Sequence, residues 1–366
     1  MNDCSTTHRY ARTTLASLLL FALILGGTAA CTHNRPTTKE TVSGAYISTF
    51  FTDPRYPDDA NNRPTGIDAD LVALIDAGQE SVAVAAYDLD LDSVTGALIG
   101  AHADGLLVRV VTDGTNGDED AIARLRQAGV PVVARPDTGR GIMHNKFVVV
   151  DGTWVWTGSW NLTSNGTYRN NNHAVVIASR AIAEDYTAEF EEMFAGQFGA
   201  SSPAETAHPS VEITTSGGTT ARVEVAFAPE DGVEARILDA LASAQSTVRF
   251  LAFVFTSDPL ANRLIELDAS GVQVQGVVEA RSADDPYSQV SRMRAGGIDV
   301  LTDGNPYIMH HKLIIIDDQI VVLGSYNFSA NAETWNDENV LIVHDPRVAA
   351  TFLAEFARVY QQAATQ

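Results

Sequence analysis

Met143-His144-Asn145-Lys146-Phe147-Val148-Val149-Val150-Asp151 and Met309-His310-His311-Lys312-Leu313-Ile314-Ile315-Ile316-Asp317 are two versions of one stretch. In each, a Lys follows the His by two residues and an Asp follows it by seven. Seven residues after each Asp begins Gly-Ser-aromatic-Asn, as Gly158-Ser159-Trp160-Asn161 and Gly324-Ser325-Tyr326-Asn327. The spacing is the same throughout: 310 − 144, 317 − 151 and 327 − 161 all equal 166. Outside the stretch, that offset also pairs Tyr87 with Phe253, Gly105 with Gly271 and Asp113 with Glu279. A gap-free repeat on this scale is a duplication, and 366 residues are enough for two ordinary domains.

The segments around the motif alternate in period. In the first half, strand-like runs lie at 46–51, 81–87, 107–112 and 130–134, and helix-like runs at 67–77, 93–102 and 119–128. The second half repeats the pattern over 222–227, 234–244, 247–254, 261–269, 272–278, 287–294 and 298–302. Each half closes on an amphipathic helix, at 181–194 and 347–361. This is α/β folding, with mixed sheets flanked by helices. It predicts one domain over 44–198, a linker over 199–220 rich in Ser, Thr, Pro, Gly and Ala, and a second domain over 221–366. The loop 53–66, with its prolines, lacks a counterpart in the second half and is expected to overhang the site.

The apolar runs after each Lys read as strands buried on both faces. His and Lys, two residues apart, then share one side of the strand mouth, and His311 falls on the opposite side from His310. Gly-Ser-x-Asn follows a second short strand, so a hairpin return brings Ser and Asn to the same end. An imidazole, an ammonium and neutral donors suit attack on a phosphodiester. One His nitrogen attacks phosphorus, and a second His protonates the leaving oxygen and then activates water. The lysines, Asn and Ser stabilise the growing negative charge. Such chemistry needs two facing histidines, and a duplication about a pseudo-two-fold axis provides them in one shared site. Asp151 and Asp317 are expected to be structural, fixing the turn and the domain contact. Of the four tryptophans, two are expected in the core and Trp160 and Trp335 at an apolar entrance.

Composition narrows the partners. With 24 Lys+Arg against 46 Asp+Glu, the net charge is −22, which repels polyanions at long range and disfavours nucleic acid. Arg9 and Arg12 precede an apolar run at 15–25 and then small residues before Cys31, the pattern of an export signal over 1–30. Cys31 then starts the mature chain as its one thiol and is expected to be lipidated, although Thr28 stands where a lipoprotein signal usually has Leu. Secretion without a lipid and an uncleaved anchor are the alternatives. Residues 31–43 are polar and are expected to form a flexible tether. His102, His173, His208 and His344 show no ligand spacing, so neither metal nor cofactor is expected.

The paired stretches resemble the two HxKxxxxD motifs of the phospholipase D superfamily, with the GSxN element in both copies. The resemblance implies two α/β domains meeting at one site and catalysis through a phosphohistidine, generally without metal. It places His144, Lys146, Asn161, His310, Lys312 and Asn327 in the catalytic set, with Ser159 and Ser325 supporting. It also implies His144 as nucleophile and His310 as general acid and base. Similar proteins carry an acidic residue that orients a catalytic His; Glu338 fits that pattern, whereas Asn172 stands opposite it at the 166 offset. A carboxylate holds an imidazolium more strongly than an amide does, so this mismatch is expected to divide the roles of the histidines. Which His Glu338 serves is open at this stage. Members of the superfamily act on phospholipids or on nucleic acid. The acidic charge, the aromatic residues and the expected lipid anchor favour phospholipid hydrolysis or transfer by a monomer at a membrane. An exported endonuclease and a non-enzymatic envelope lipoprotein are the alternatives.

Overall fold

The structure is a computed structural model that describes residues 37–203 and 205–365. The segment carrying the export signal and Cys31 lies outside the described residues. No helix among the described residues is long and apolar enough to cross a membrane.

Two mixed sheets form the frame. The first runs, edge to edge, Ile47–Phe51, His173–Ala178, Trp154–Gly158, Lys146–Val150, Ser81–Ala86, Leu107–Asp113 and Val132–Arg135. The second repeats this as Thr220–Ala228, Glu338–His344, Ile320–Gly324, Lys312–Ile316, Thr247–Ala252, Gln273–Val278 and Asp299–Thr302, and adds Ser210–Thr215 and Thr38–Val42 at one edge. These two added strands correct the sequence reading. Thr38–Val42 pairs in parallel with Ser210–Thr215, so part of the expected tether and part of the expected linker are ordered sheet. Their composition is polar because edge strands alternate: Val211 and Ile213 are buried, while Lys39 and Glu212 face water and pair with each other at 3.3 Å.

Alternation along each motif strand divides the cores. Phe147 and Val149, with Leu313 and Ile315, face a central core between the sheets, which also receives the closing helices Arg180–Phe194 and Pro346–Ala364. Val148 and Val150 face the outer helices of the first half, and Ile314 and Ile316 those of the second. The order of layers is therefore helix, sheet, a central helical layer, sheet, helix. A strand buried on both sides leaves solvent access only at its ends, and the two histidines stand at the same kind of end in both halves.

At the opposite ends, Asp151 and Asp317 adopt left-handed backbone (φ 52° and 51°). The Asp151 carboxylate accepts from the backbone N–H groups of Gln79, Glu80 and Ser81 at 2.8–3.1 Å. Asp317 does the same for Gln245, Ser246 and Thr247. Each carboxylate anchors a turn within its own half, and among the described residues neither is seen to bond across to the other half, where a domain contact was expected. The three donors hold both carboxyls below the usual range. Sign follows from that depression: the contribution is complete above the unfolded carboxylate pKa and is lost as pH falls through the folded one. Replacing Asp151 with Ala is expected to cost about 2 kcal/mol at neutral pH, with less acid sensitivity than the parent. Urea melts of both proteins at neutral and acidic pH check this.

Candidate active site

The site is assembled by exchange between the halves. Met143 forms a parallel bridge with Asp337, and Ile308–Met309 pairs in parallel with Asn170–Asn171. Through these bridges the His144 N–H donates to the Asp337 carbonyl and the His310 N–H to the Asn171 carbonyl, both at 2.9 Å. A carboxylate steadies each approach from its own half: Asp113 accepts from the Met143 N–H and Glu279 from the Met309 N–H, each at 2.8 Å. The equivalence of Asp113 and Glu279, visible at the 166 offset, was the signal for this pair.

The side chains cross over in the same way. Nδ1 of His144 lies 2.9 and 2.8 Å from the two carboxylate oxygens of Glu338 in the second half. Nδ1 of His310 lies 3.0 Å from Oδ1 of Asn172 in the first half and 3.1 Å from the Ser159 carbonyl. Glu338 therefore serves His144, which settles the alternative the sequence left open. The Glu338 carboxylate and the Asn172 amide oxygen are acceptors, so each ring donates its Nδ1–H to them and Nε2 is the nitrogen left for a substrate. The serines hold these partners in place. Ser325 Oγ donates to Glu338 at 2.7 Å and Ser159 Oγ to Asn172 at 2.9 Å. Asn336 donates to Glu338, while Asn172 donates its own amide N–H to the Gly166 carbonyl. Each Gly-Ser-x-Asn element thus contributes its serine to the other half's histidine. Its glycine is required by close approach: a Cβ at Gly158 would sit 2.3 Å from the His173 carbonyl, and one at Gly324 2.2 Å from that of Asn339.

The lysines are buried beside the rings. Lys146 Nζ donates to the His144 carbonyl at 2.7 Å and lies over the Tyr87 ring; Lys312 Nζ donates to the His310 carbonyl at 3.0 Å and lies over Phe253. Tyr87 and Phe253 also flank His144 and His310, with ring centroids 5.0 and 4.7 Å apart. These aromatic residues belong to the site and were paired, but not placed there, by the repeat. Oδ1 of both Asn161 and Asn327 is buried without a hydrogen-bond partner among the described residues.

Burial pushes both imidazoles well below their usual range, and the charges of Lys146 and Lys312 add to it. Each lysine acts on both rings. Burial also lowers Lys146 to about 7, against the pull of Glu338, and lowers Lys312 well below its usual value. Glu338 is raised to about 7, again by burial, with Lys146 opposing. Two neutral imidazoles beside weakened ammonium groups describe a desolvated site that gains from an incoming anion.

Other expectations divide. His311 points away from the site, as its strand position requires. Its Nε2 meets Glu355 at 2.9 Å and its Nδ1 meets His173 at 3.0 Å across the domain boundary. Trp160 is 1% exposed and belongs to the outer core of the first half, so it does not line an entrance; its indole N–H instead bonds Thr167. Trp156 is core, whereas Trp154 and Trp335 are partly exposed, and Trp335 carries the Arg140 guanidinium on its face. The 53–66 loop crosses to the second half, where the Asp58 N–H donates to the Tyr307 hydroxyl three residues before His310.

A family model described as cardiolipin synthase, phospholipase D-like domain, matches residues 71–194 and again 237–360, two copies separated by the same 166 residues (237 − 71). The mitochondrial cardiolipin hydrolase of Chlamydomonas reinhardtii is 34% identical over 125 residues, covering 34% of this chain and 56% of that protein. A phospholipase D of Rickettsia bellii is 31% identical over 132 residues, covering 36% and 66%. The chain thus spans between about half and two thirds of the length of these curated relatives. Phosphatidylserine synthase of Haemophilus influenzae shares the fold, with a TM-score of 0.59 over 88% of this chain and 87% of that one at 14% identity. The doubled motif, the crossed histidine site and the doubled family match together place this chain in the phospholipase D superfamily of phosphodiesterases.

Proposed function

We propose that the protein hydrolyses phospholipids, or transfers their phosphatidyl group to an alcohol, through a covalent phosphohistidine. The observation that carries this reading is the pair of buried imidazoles, each with Nδ1 bonded across the domain boundary and Nε2 left free. His144, on the carboxylate, is the nucleophile: Nε2 attacks phosphorus, and Glu338 stabilises the positive charge that develops on the ring. His310, on the neutral amide, delivers a proton to the departing alcohol oxygen. It then takes one from water, whose oxygen attacks the phosphohistidine and restores Nε2 of His144. The bound phosphodiester anion offsets Lys146 and Lys312, which lifts His310 toward its protonated form. Lys146, Lys312 and the amides of Asn161 and Asn327 serve the non-bridging oxygens. Glu338 and Asn172, with Ser325 and Ser159 behind them, are positioning residues.

Phospholipid is favoured over nucleic acid by the net charge of −22. Asp88 and Glu119 also lie close to the Lys146 side of the site, where they act on each other and Asp88 acts on Lys146. Those carboxyls, pushed up by burial and by neighbouring carboxylates, offer a polyanion no cationic partner and tolerate a zwitterionic or small polar head group. The names of the relatives, cardiolipin hydrolase and phospholipase D, agree with that choice.

The deciding experiment incubates the protein and its His144→Ala variant with phosphatidylcholine vesicles, cardiolipin vesicles and single-stranded DNA. Lipid turnover that falls by more than about 10³-fold in the variant is expected, with phosphatidylethanol forming when ethanol is added. DNA cleavage without lipid turnover would overturn the lipid reading, and turnover that survives in the variant would overturn the nucleophile. Glu338→Gln is expected to lower kcat about 10²-fold. Because it removes the charge that favours the imidazolium, it should also move the acidic limb of the pH–rate profile downward; an unmoved limb rules out the assigned division of roles. Anion affinity supplies a third check. As pH rises above about 7, where Lys146 loses its proton, the dissociation constant for sulfate, whose charge is constant over this range, should rise about tenfold per unit when measured by calorimetry.

A further inference from the structure

The halves bury one corresponding spot in opposite ways. Behind the second motif, Glu355 accepts from His311 at 2.9 Å and from the Arg358 guanidinium at 2.8 and 2.7 Å. The 166 offset puts Asn145, Glu189 and Glu192 at these three positions (311 − 145, 355 − 189 and 358 − 192). Asn145 keeps its bond, donating to Glu189 at 2.9 Å. The guanidinium, however, is replaced by a carboxylate, and Glu230 brings another from the segment after strand Thr220–Ala228.

One carboxylate oxygen from each of Glu189, Glu192 and Glu230 lies within 4.8 Å of the others. Asp185 lines the same tight cleft as these three. It is 1% exposed; its Oδ1 accepts from the His208 N–H, and its Oδ2 has no hydrogen-bond partner, nor has Oε2 of Glu230. Arg135 is engaged with Asp337, and Arg236 with Asp231 and the Val225 carbonyl. Burial first, and then the charges of neighbouring carboxylates, push Glu189 well above its usual range and Glu192 and Glu230 to about 7. Packed carboxylates of this kind are stabilised by shared protons or by a cation. The donors are all hard oxygens, and two oxygens held at about 2.4 Å from one ion can stand up to about 4.8 Å apart.

We propose that Glu189, Glu192 and Glu230, with Asp185 beside them in the cleft, form a site for a calcium-class divalent cation, which occupies in the first half the role that the Arg358 guanidinium has in the second. Through Glu189 the cation steadies Asn145, the residue between His144 and Lys146. The site lies on the face of the motif strand turned away from the reacting atoms, so the ion supports the strand and takes no step in the chemistry.

Calorimetric titration of the chelator-treated, desalted protein with calcium chloride at pH 7.5 tests this. Saturable binding of one ion is expected, with a dissociation constant between about 10⁻⁵ and 10⁻³ M and a rise in Tm of about 5 °C at saturation. Glu192→Arg, which copies the second half, should abolish the binding and make Tm independent of calcium. Glu230→Gln should weaken it at least tenfold. Absence of both heat and Tm change in the wild-type protein up to about 5 mM calcium would overturn the proposal and leave protons as the sole compensation, whether or not the variants fold. Unchanged affinity in a folded Glu192→Arg would overturn it equally.

Discussion

Each motif histidine is bonded on both its backbone and its ring to the opposite half of the chain. His144 depends on Asp337 and Glu338, His310 on Asn171, Asn172 and Ser159. Neither half alone can fix the tautomer of its own imidazole, so the packing of the two domains and the competence of the site are one event. The central core enforces that packing. Its apolar faces come from both sheets and both closing helices, and opening it would expose every one of these faces together.

Desolvation sets the charge state of this cluster. Four titratable groups, two histidines and two lysines, are buried together, and each shift has burial as its largest cause. Hydrogen bonds to charged partners are worth about 1.5–3 kcal/mol each; here they are spent on orientation and on the neutral form of the rings. The site is therefore poised for an anion, and its strongest electrostatic interactions form only when the anion arrives. The aromatic faces of Tyr87 and Phe253 hold both the lysines and the histidines without adding charge or displacing the acceptors.

Duplication has left the frame symmetric and the buried polar groups unequal. The mismatch of Glu338 with Asn172 falls directly on the two motif histidines. A second mismatch lies one residue along each motif strand, where His311, Glu355 and Arg358 correspond to Asn145, Glu189 and Glu192. His173 and Asn339 stand opposite each other in the same exchange: His173 stacks on His311, and Asn339 donates to Asn145 at 2.8 Å. Substitution has thus been tolerated where hydrogen bonding could be re-formed with a different charge.

The sequence by itself determined the duplication, the α/β alternation and the two-faced burial of the motif strands, and it named the His, Lys, Ser and Asn set as candidates, because each of these is a matter of spacing and period along the chain. Asp151 and Asp317 were legible as structural for the same reason, since they end a buried run. Polar composition misled at Thr38–Val42 and Ser210–Thr215, because an edge strand needs only one buried face and its pairing partner lies more than 160 residues away (211 − 38 is 173). Trp154 and Trp160 exchanged their expected places: Trp154 opens its strand at the sheet end and is partly exposed, whereas Trp160 follows that strand and packs in the outer core of the first half. Only the tertiary structure decided that Glu338 serves His144, that each serine reaches the other half's histidine and that Glu189 meets Glu230. Those contacts join residues of different halves, and a repeat offset gives equivalence between positions but carries no information on which copy of an equivalent pair is brought into contact.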